Sequence, residues 1–313
     1  MRFGAAFWVH RTDWPSLRDA CLAAERAGWD SVWIDDHLLA DEGDRFDPKF
    51  EGWSVLAALA VLTQRVRLGL LVGANTLRNP GLTAKLATTL DHLSDGRAVL
   101  GLGAGWFEPE HTAFGFDFGA GRGERLDRLE ESVGLIRRLL DGERVTHHGR
   151  FYRFEDALIA PRPIQQRLPI LVGGSGKTKT LRTVARHADV WNAYGEPAFI
   201  ADRIEALREH CRELGRDEAS IARSVVQDVV VRDQEAEAVA VYRHLASIHG
   251  LDGRVGSDGR PRDLSLAGPP ASVAQGLRRY AEVGVDEVVW ILRAPFDRET
   301  IDRLDEVRAA LGD

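Results

Sequence analysis

Two cysteines, Cys21 and Cys211, are all that a chain of 313 residues contains, and they lie 190 positions apart inside helix-like segments. That excludes a disulfide framework and fits free, buried thiols in a reducing compartment. Positive charge is also in short supply. A net charge of −7 and a pI near 5.8 lack the clustered excess of cations that a phosphate backbone requires, so nucleic acid is not an expected partner. No apolar run approaches the ~18 residues of a membrane span. The N-terminus begins directly as an alternating strand from Phe3 to Trp8, without a basic and apolar leader, so a cytoplasmic protein with no membrane partner is expected. Metal-ligand spacings are missing as well: there is no His-Glu-x-x-His or Cys-x-x-Cys. The neighbours His147 and His148 would point to opposite faces of a strand, so no metal is expected. Lysine is scarce. Of 41 basic residues only Lys49, Lys85, Lys177 and Lys179 are lysines, and two of the four sit together.

What the chain does have is 44 % hydrophobic residues, enough for a sizeable core. Eight short apolar runs read as strands, at residues 2–8, 31–34, 66–72, 98–103, 170–172, 188–192, 224–231 and 286–292. Between and after them, helical periodicity covers 14–27, 53–63, 80–93, 124–140, 177–187, 197–214, 272–283 and 298–311. Residues 145–154 read as a small hairpin turning at His148-Gly149, and 234–269 as a helix followed by a loop rich in glycine and arginine. Regular alternation with eight strands argues for a parallel architecture closed into a single (β/α)8 TIM barrel spanning 1–313. Insertions are placed at about 104–122, 141–168 and 232–269, and no linker divides the chain. In such barrels the chemistry sits on the loops that follow the strands' C-terminal ends.

Four strand ends carry polar or glycine-rich signals. Asp35-Asp36-His37 follows the second strand, and an imidazole beside carboxylates is an acid/base candidate because it titrates near neutrality. Leu68 to Pro80 is an apolar run that breaks into Gly73-Ala74-Asn75 before Asn79-Pro80 opens a helix. Gly101-Leu102-Gly103-Ala104-Gly105-Trp106 fails the dinucleotide fingerprint, because Trp106 replaces its last glycine. Its glycines still let a flat ligand approach the backbone. Glu108, Glu110 and His111 then read equally well as site residues or as a solvated polar loop. Gly173-Gly174-Ser175-Gly176-Lys177-Thr178 is neither a P-loop nor a serine-hydrolase elbow. Its backbone N–H groups, the following helix and the two lysines together suit an anion such as a phosphate. Trp33, Trp106, Phe107 and Trp191 suit a flat ring system, although core packing explains each of them singly.

Taken together, these pieces resemble the bacterial-luciferase-like flavin and deazaflavin oxidoreductases, most closely the branch that depends on coenzyme F420. The matching segments are residues 28–37, 68–80, 101–115, the helix start Glu124-Arg125-Leu126-Asp127, Pro161-Arg162-Pro163 leading into 173–176, and 188–192. They fall within residues 1–195, and the remainder matches only in its alternation. The resemblance implies an F420-dependent oxidoreductase, usually dimeric, that transfers a hydride between the deazaflavin and a small organic substrate. By position, Asp36 would hydrogen-bond the cofactor ring and His37 would act as acid/base toward substrate. Residues Gly173, Gly174, Ser175, Gly176 and Lys177 would hold the cofactor phosphate. Val72, Gly73, Ala74 and Asn75 would back the ring, with Gly103, Ala104 and Gly105 beside it. The resemblance also implies a non-proline cis peptide at Val72-Gly73 or Gly73-Ala74.

Three other readings share the barrel: an FMN-dependent luciferase-like monooxygenase, an idle barrel that carries a flavin-like ligand, and a sugar-phosphate isomerase. Loops 38–52, 104–122 and 232–269 would set the substrate, and no residue in them announces one. Loop 250–263, with Gly253, Arg254, Gly256, Gly259 and Arg260, could serve as a lid or be a plain surface loop.

Overall fold

A computed structural model describes residues 1–254 and 266–312. Eight strands form the barrel: β1 Arg2–Phe7, β2 Ser31–Ile34, β3 Arg67–Leu70, β4 Ala98–Gly103, β5 Ile170–Gly173, β6 Val190–Tyr194, β7 Ala222–Val231 and β8 Glu287–Leu292. Each runs parallel to the next, and β8 returns to β1 through Phe3↔Val288 and Ala5↔Trp290, which closes the sheet. The (β/α)8 barrel expected from the alternation is therefore the one observed.

Around it lie α1 Trp14–Arg26, α2 Gly52–Leu62, α3 Pro80–Leu93, α4 Glu108–Phe114, α5 Arg122–Leu140, α6 Thr180–His187, α7 Pro197–Leu214, α8 Glu235–Ile248, α9 Pro270–Glu282, α10 Arg298–Asp302 and α11 Leu304–Leu311. Local chemistry explains several of the starts. Asp13 caps α1 by accepting the Ser16 N–H, and Asn79 caps α3 by accepting the Gly81 N–H, each with a proline in the first turn. Glu51 accepts the Trp53 and Ser54 N–H groups at the head of α2. The strands are apolar on both faces because both are covered. Phe3, Ala5 and Phe7 pack outward with the helices, whereas Ala6, Trp33, Leu71, Val99, Leu171 and Val289 belong to the separate interior cluster.

The expectations fail where the chain leaves regular structure. Strand β3 ends at Leu70, and Gly73–Ala74 pairs separately with β4, through Gly73↔Leu102 and Ala74↔Gly103. The non-proline cis peptide is Leu71-Val72, not Val72-Gly73 or Gly73-Ala74. Gly73 and Ala74 are themselves ladder residues, so the irregular peptide falls in the unpaired step between two paired segments. This bulge needs glycine on the neighbouring strand: a Cβ on Gly101 would lie 2.0 Å from the Leu70 carbonyl oxygen, and one on Gly103 would lie 2.7 Å from Val72 Cγ2.

Within 104–122, expected as an insertion loop, α4 forms instead, with Pro109 in its first turn and Gly115 closing it at φ 73°. Helix α6 starts at Thr180, not at Lys177, and the closing helix breaks at Arg303 into α10 and α11. The hairpin pairs Val145–His148 with Arg153–Ala157, and Leu266–Gly268 adds a short parallel strand beside β7. Gly256, Gly259 and Arg260 of the lid reading lie outside the described residues. Among the described residues, no helix is long and apolar enough to cross a membrane.

Candidate active site

The strands' C-terminal ends open into a cavity of about 720 Å³. It brings together most of the residues singled out in the sequence: Asp36 and His37 after β2, Val72, Gly73 and Ala74 in the bulge, Gly103, Ala104 and Gly105 after β4, and Gly173, Gly174 and Ser175 after β5. It does not bring in Asn75, Gly176 or Lys177. Asn75 is buried and donates from Nδ2 to the Tyr152 hydroxyl at 3.0 Å, because the bulge turns it toward the hairpin side. Lys177 is drawn outward onto Asp202 at 2.7 Å, and Lys179 onto Asp127 at 2.5 Å.

The back wall depends on Asp36. Its Oδ2 accepts the Ala74 N–H at 3.0 Å and Arg78 at 2.6 Å, and its Oδ1 accepts Arg78 again at 2.9 Å. Arg78 also reaches Glu51 at 2.8 Å, which ties the bulge to the head of α2. Burial pushes the Asp36 carboxyl above its usual range, against the pull of Arg78. The carboxylate thus has protein partners on both oxygens, and the side chain it serves is Val72, whose methyls sit against Gly103 and Gly173.

His37 stands across the cavity between two acids. Its Nδ1 is 3.0 Å from Glu110 Oε1, and its Nε2 is 3.7 Å from Asp41 Oδ2. Glu110 projects from α4 with no exposure to solvent, and its other oxygen accepts the Leu38 N–H at 2.7 Å. Burial lowers the His37 pKa, but the Glu110 hydrogen bond and the charges of Asp41, Glu110 and Asp35 outweigh it, and the net shift is upward from 6.5. Behind them Lys49 is paired with Asp35 and lies 3.5 Å from Asp41. Trp106 and Phe107 present their rings to the imidazole at 5.4 and 5.6 Å. By contrast Trp33 and Trp191 are core residues, with 3 % and 0 % exposure. His111 bridges Thr76 at 2.7 Å and the Phe107 carbonyl at 2.8 Å, fastening α4 to the bulge.

At the other pole, Gly174 takes φ 131° and Thr180 opens α6 beside it. The cation here is Arg122 of α5, whose Nη2 would be 3.8 Å from a Cβ on Gly176. Among the described residues Arg122 has no hydrogen-bond or ion-pair partner, unlike both lysines. The remaining wall is neutralised: Arg293 holds Glu42 at 2.6 and 2.8 Å and pairs with Asp228. One group of metal-ligand type exists among the described residues, His10, Glu42 and His249, with one ligand atom of each within 4.8 Å. Its members are already engaged, His10 Nε2 with His249 Nδ1 at 2.9 Å and Glu42 with Arg293. Burial and Lys49 lower the His10 pKa to about 4, so it is neutral at pH 7.

Sequence reasoning missed Asp41, Arg78, Arg122 and Arg293 and left Glu110 undecided. Only Glu110 had a usable signal, as an acid inside an aromatic and proline-marked segment following a strand. Asp41, Arg78 and Arg293 are charges in ordinary sequence that become site residues through contacts from 4 to 251 positions apart, and Arg122 is brought to the mouth by the fold alone.

The fold is that of a barrel enzyme, and the candidate site lies at its C-terminal mouth. The chain belongs to the luciferase-like monooxygenase family, whose model matches residues 1–287. A relative described as an F420-dependent glucose-6-phosphate dehydrogenase from Kineococcus radiotolerans is 32 % identical over 294 residues, 88 % of this chain and 86 % of that one. Another of the same description, from Nakamurella multipartita, is 38 % identical over 221 residues, covering 69 % and 63 %. Among solved structures, an F420-dependent secondary alcohol dehydrogenase in complex with an F420-acetone adduct superposes with a TM-score of 0.87 at 21 % identity, covering 100 % and 99 %. The coenzyme F420-dependent tetrahydromethanopterin reductase from Methanopyrus kandleri gives 0.80 at 22 % identity, covering 99 % of each chain. At these identities the structural likeness is one of fold.

Replacing Asp36 by Asn would take the bidentate carboxylate away from the half-buried Arg78 and leave it Glu51 alone. We expect Asp36→Asn to destabilise the fold by about 3 kcal/mol in urea unfolding; an unchanged midpoint would contradict this account of the back wall.

Proposed function

We propose that the chain is a coenzyme F420-dependent oxidoreductase that transfers a hydride between the deazaflavin and a small organic molecule. Its relatives' descriptions support the cofactor, and one observation carries the reaction: an acid-flanked histidine, His37, facing a glycine-backed Val72 across a cavity with an unpaired arginine at its far end. The residues fit the cofactor. Val72 and Gly73 would support the flat ring, while Gly173, Gly174, Ser175, Thr180 and Arg122 would hold its phosphate, a task the two lysines are too well paired to perform. Asp36 contributes by fixing the bulge. When bound, the deazaflavin supplies a two-electron hydride carrier. The protein's share is to orient it, exclude water with Trp106 and Trp8, and hold or move one proton at His37 Nε2, the nitrogen that Glu110 leaves available. The free, buried Cys21 and Cys211 support a reducing, cytoplasmic setting.

A second copy of the chain fits α2. That helix is apolar nearly all round, and it exposes Val61 at 65 % and Leu62 at 43 % even after packing beside α3, which itself exposes Leu82 and Leu93. We read this face as the contact of a homodimer.

Titration of the apoprotein with F420 and with FMN tests the cofactor, and tight FMN binding without F420 binding would overturn it. His37→Ala should leave F420 affinity nearly intact while turnover falls roughly 10²–10⁴-fold; unchanged turnover removes its role. Arg122→Gln is expected to weaken F420 about tenfold while leaving the phosphate-free deazaflavin riboside unaffected, and equal effects on both would rule out a phosphate contact. Light scattering should give twice the chain mass, with Val61→Arg shifting it to the monomer. A monomeric wild type would disprove the pairing.

A further inference from the structure

His37 is enclosed in a way that the acid/base assignment alone does not require. A neutral imidazole carries one N–H, so one of its nitrogens would direct a lone pair at a carboxylate. Only the imidazolium turns an N–H toward both Glu110, 3.0 Å from Nδ1, and Asp41, 3.7 Å from Nε2. Neither acid is free to swing away. Glu110 is pinned by the Leu38 N–H, and Asp41 lies between His37 and Lys49, which is itself paired with Asp35.

We propose that Asp41 is a positioning residue that, opposite Glu110, holds His37 as an imidazolium, so that the resting site is the proton-donating form needed to reduce a carbonyl or imine. The proposal rests on the hydride-transfer reading above. The groups facing His37 are Glu110 from α4 and Asp35 and Asp41 from its own loop, with the rings of Trp106 and Phe107 beside it; Lys49 and Glu42 act on it through Asp41. The upward shift of the His37 pKa agrees with this enclosure. Asp41 is pushed up as well, by its burial and by Asp35 and Glu42 against the pull of His37 and Lys49.

The two contacts are unequal, and the inequality has a chemical use. At 3.7 Å the Asp41 contact is longer than a hydrogen bond, whereas the Glu110 contact is a full one. Nε2–H is therefore the end that a substrate oxygen can take over. A bound reduced deazaflavin would supply the hydride to the carbonyl carbon, and the π pair would move to oxygen. That oxygen takes the Nε2 proton, leaving a neutral imidazole whose remaining N–H points at Glu110. In the reverse direction the same His37 must first lose its proton, so oxidation of an alcohol is favoured only above its pKa.

The test is an NMR titration of the histidine ring nitrogens in the apoprotein, with His37 assigned by loss of its signal in His37→Gln. Wild-type His37 should still be protonated at pH 7. Asp41→Asn should weaken its proton affinity about tenfold, and Glu110→Gln should move it in the same direction, which covers the case in which one variant fails to fold. With cofactor, carbonyl reduction should fall and alcohol oxidation rise as pH passes the wild-type midpoint, and Asp41→Asn should move both midpoints down together with F420 affinity unchanged. A neutral wild-type His37 at pH 7 overturns the proposal. So does an Asp41→Asn variant that loses turnover with the His37 midpoint unmoved, because Asp41 would then act on substrate directly. If the NMR result holds but F420 does not bind, the enclosure stands and the cofactor reading fails.

Discussion

A single buried carboxylate, Asp36, holds the mouth of this barrel in shape. It ties the Ala74 N–H to Arg78 and, through Arg78, to Glu51 at the head of α2. Without that anchor nothing in the ladder would keep the third strand broken between Leu70 and Gly73, since both flanking segments pair normally with β4. A carboxylate this deep is costly to desolvate, and the bidentate guanidinium is what makes it tolerable. The consequence reaches the chemistry: Val72 is presented at the floor of the cavity, resting on Gly103 and Gly173, where any larger residue would meet its methyls.

The cavity built on that floor is electrically divided. Around His37 the acids Asp35, Asp41 and Glu110 predominate, and their nearest cation, Lys49, is already paired. Along the opposite wall Arg293 is taken up by Glu42 and Asp228. Of the arginines that line the cavity, Arg122, beside the Gly173–Ser175 turn, is the one without a hydrogen-bond or ion-pair partner among the described residues, since Arg125 donates to the Gly105 carbonyl. An elongated ligand with one anionic end therefore has a preferred direction in the cavity. Under the proposed function its anionic end would lie with Arg122 and its uncharged, reacting end with His37.

Much of this could be read before any fold was in hand. Periodicity located all eight barrel strands, and for Ser31–Ile34, Ala98–Gly103, Pro80–Leu93 and Pro197–Leu214 even the ends agree. Those elements are bounded by strong local signals: a strand between turns, or a proline at a helix start. The lysine pair at 177 and 179 misled for a physical reason. Clustered charge in sequence says nothing about whether Asp202 and Asp127, on other helices, will neutralise it. The segment 104–122 hid a helix because its buried acid and histidine, Glu110 and His111, look like surface residues until the loops around them close.

By itself, then, the sequence determined the alternating barrel, the placement of Asp36 and His37 at one strand end, and the glycines at three others, because backbone propensity and burial period are local properties. Tertiary structure alone decided which charges are spent and which remain available. It set the Leu71-Val72 step in place of the one after it, turned Asn75 away, paired Lys177 outward, and brought Glu110, Arg78 and Arg122 to the mouth. Ion pairing and hydrogen bonding depend on distances across dozens to hundreds of residues, and only closure of the barrel establishes them.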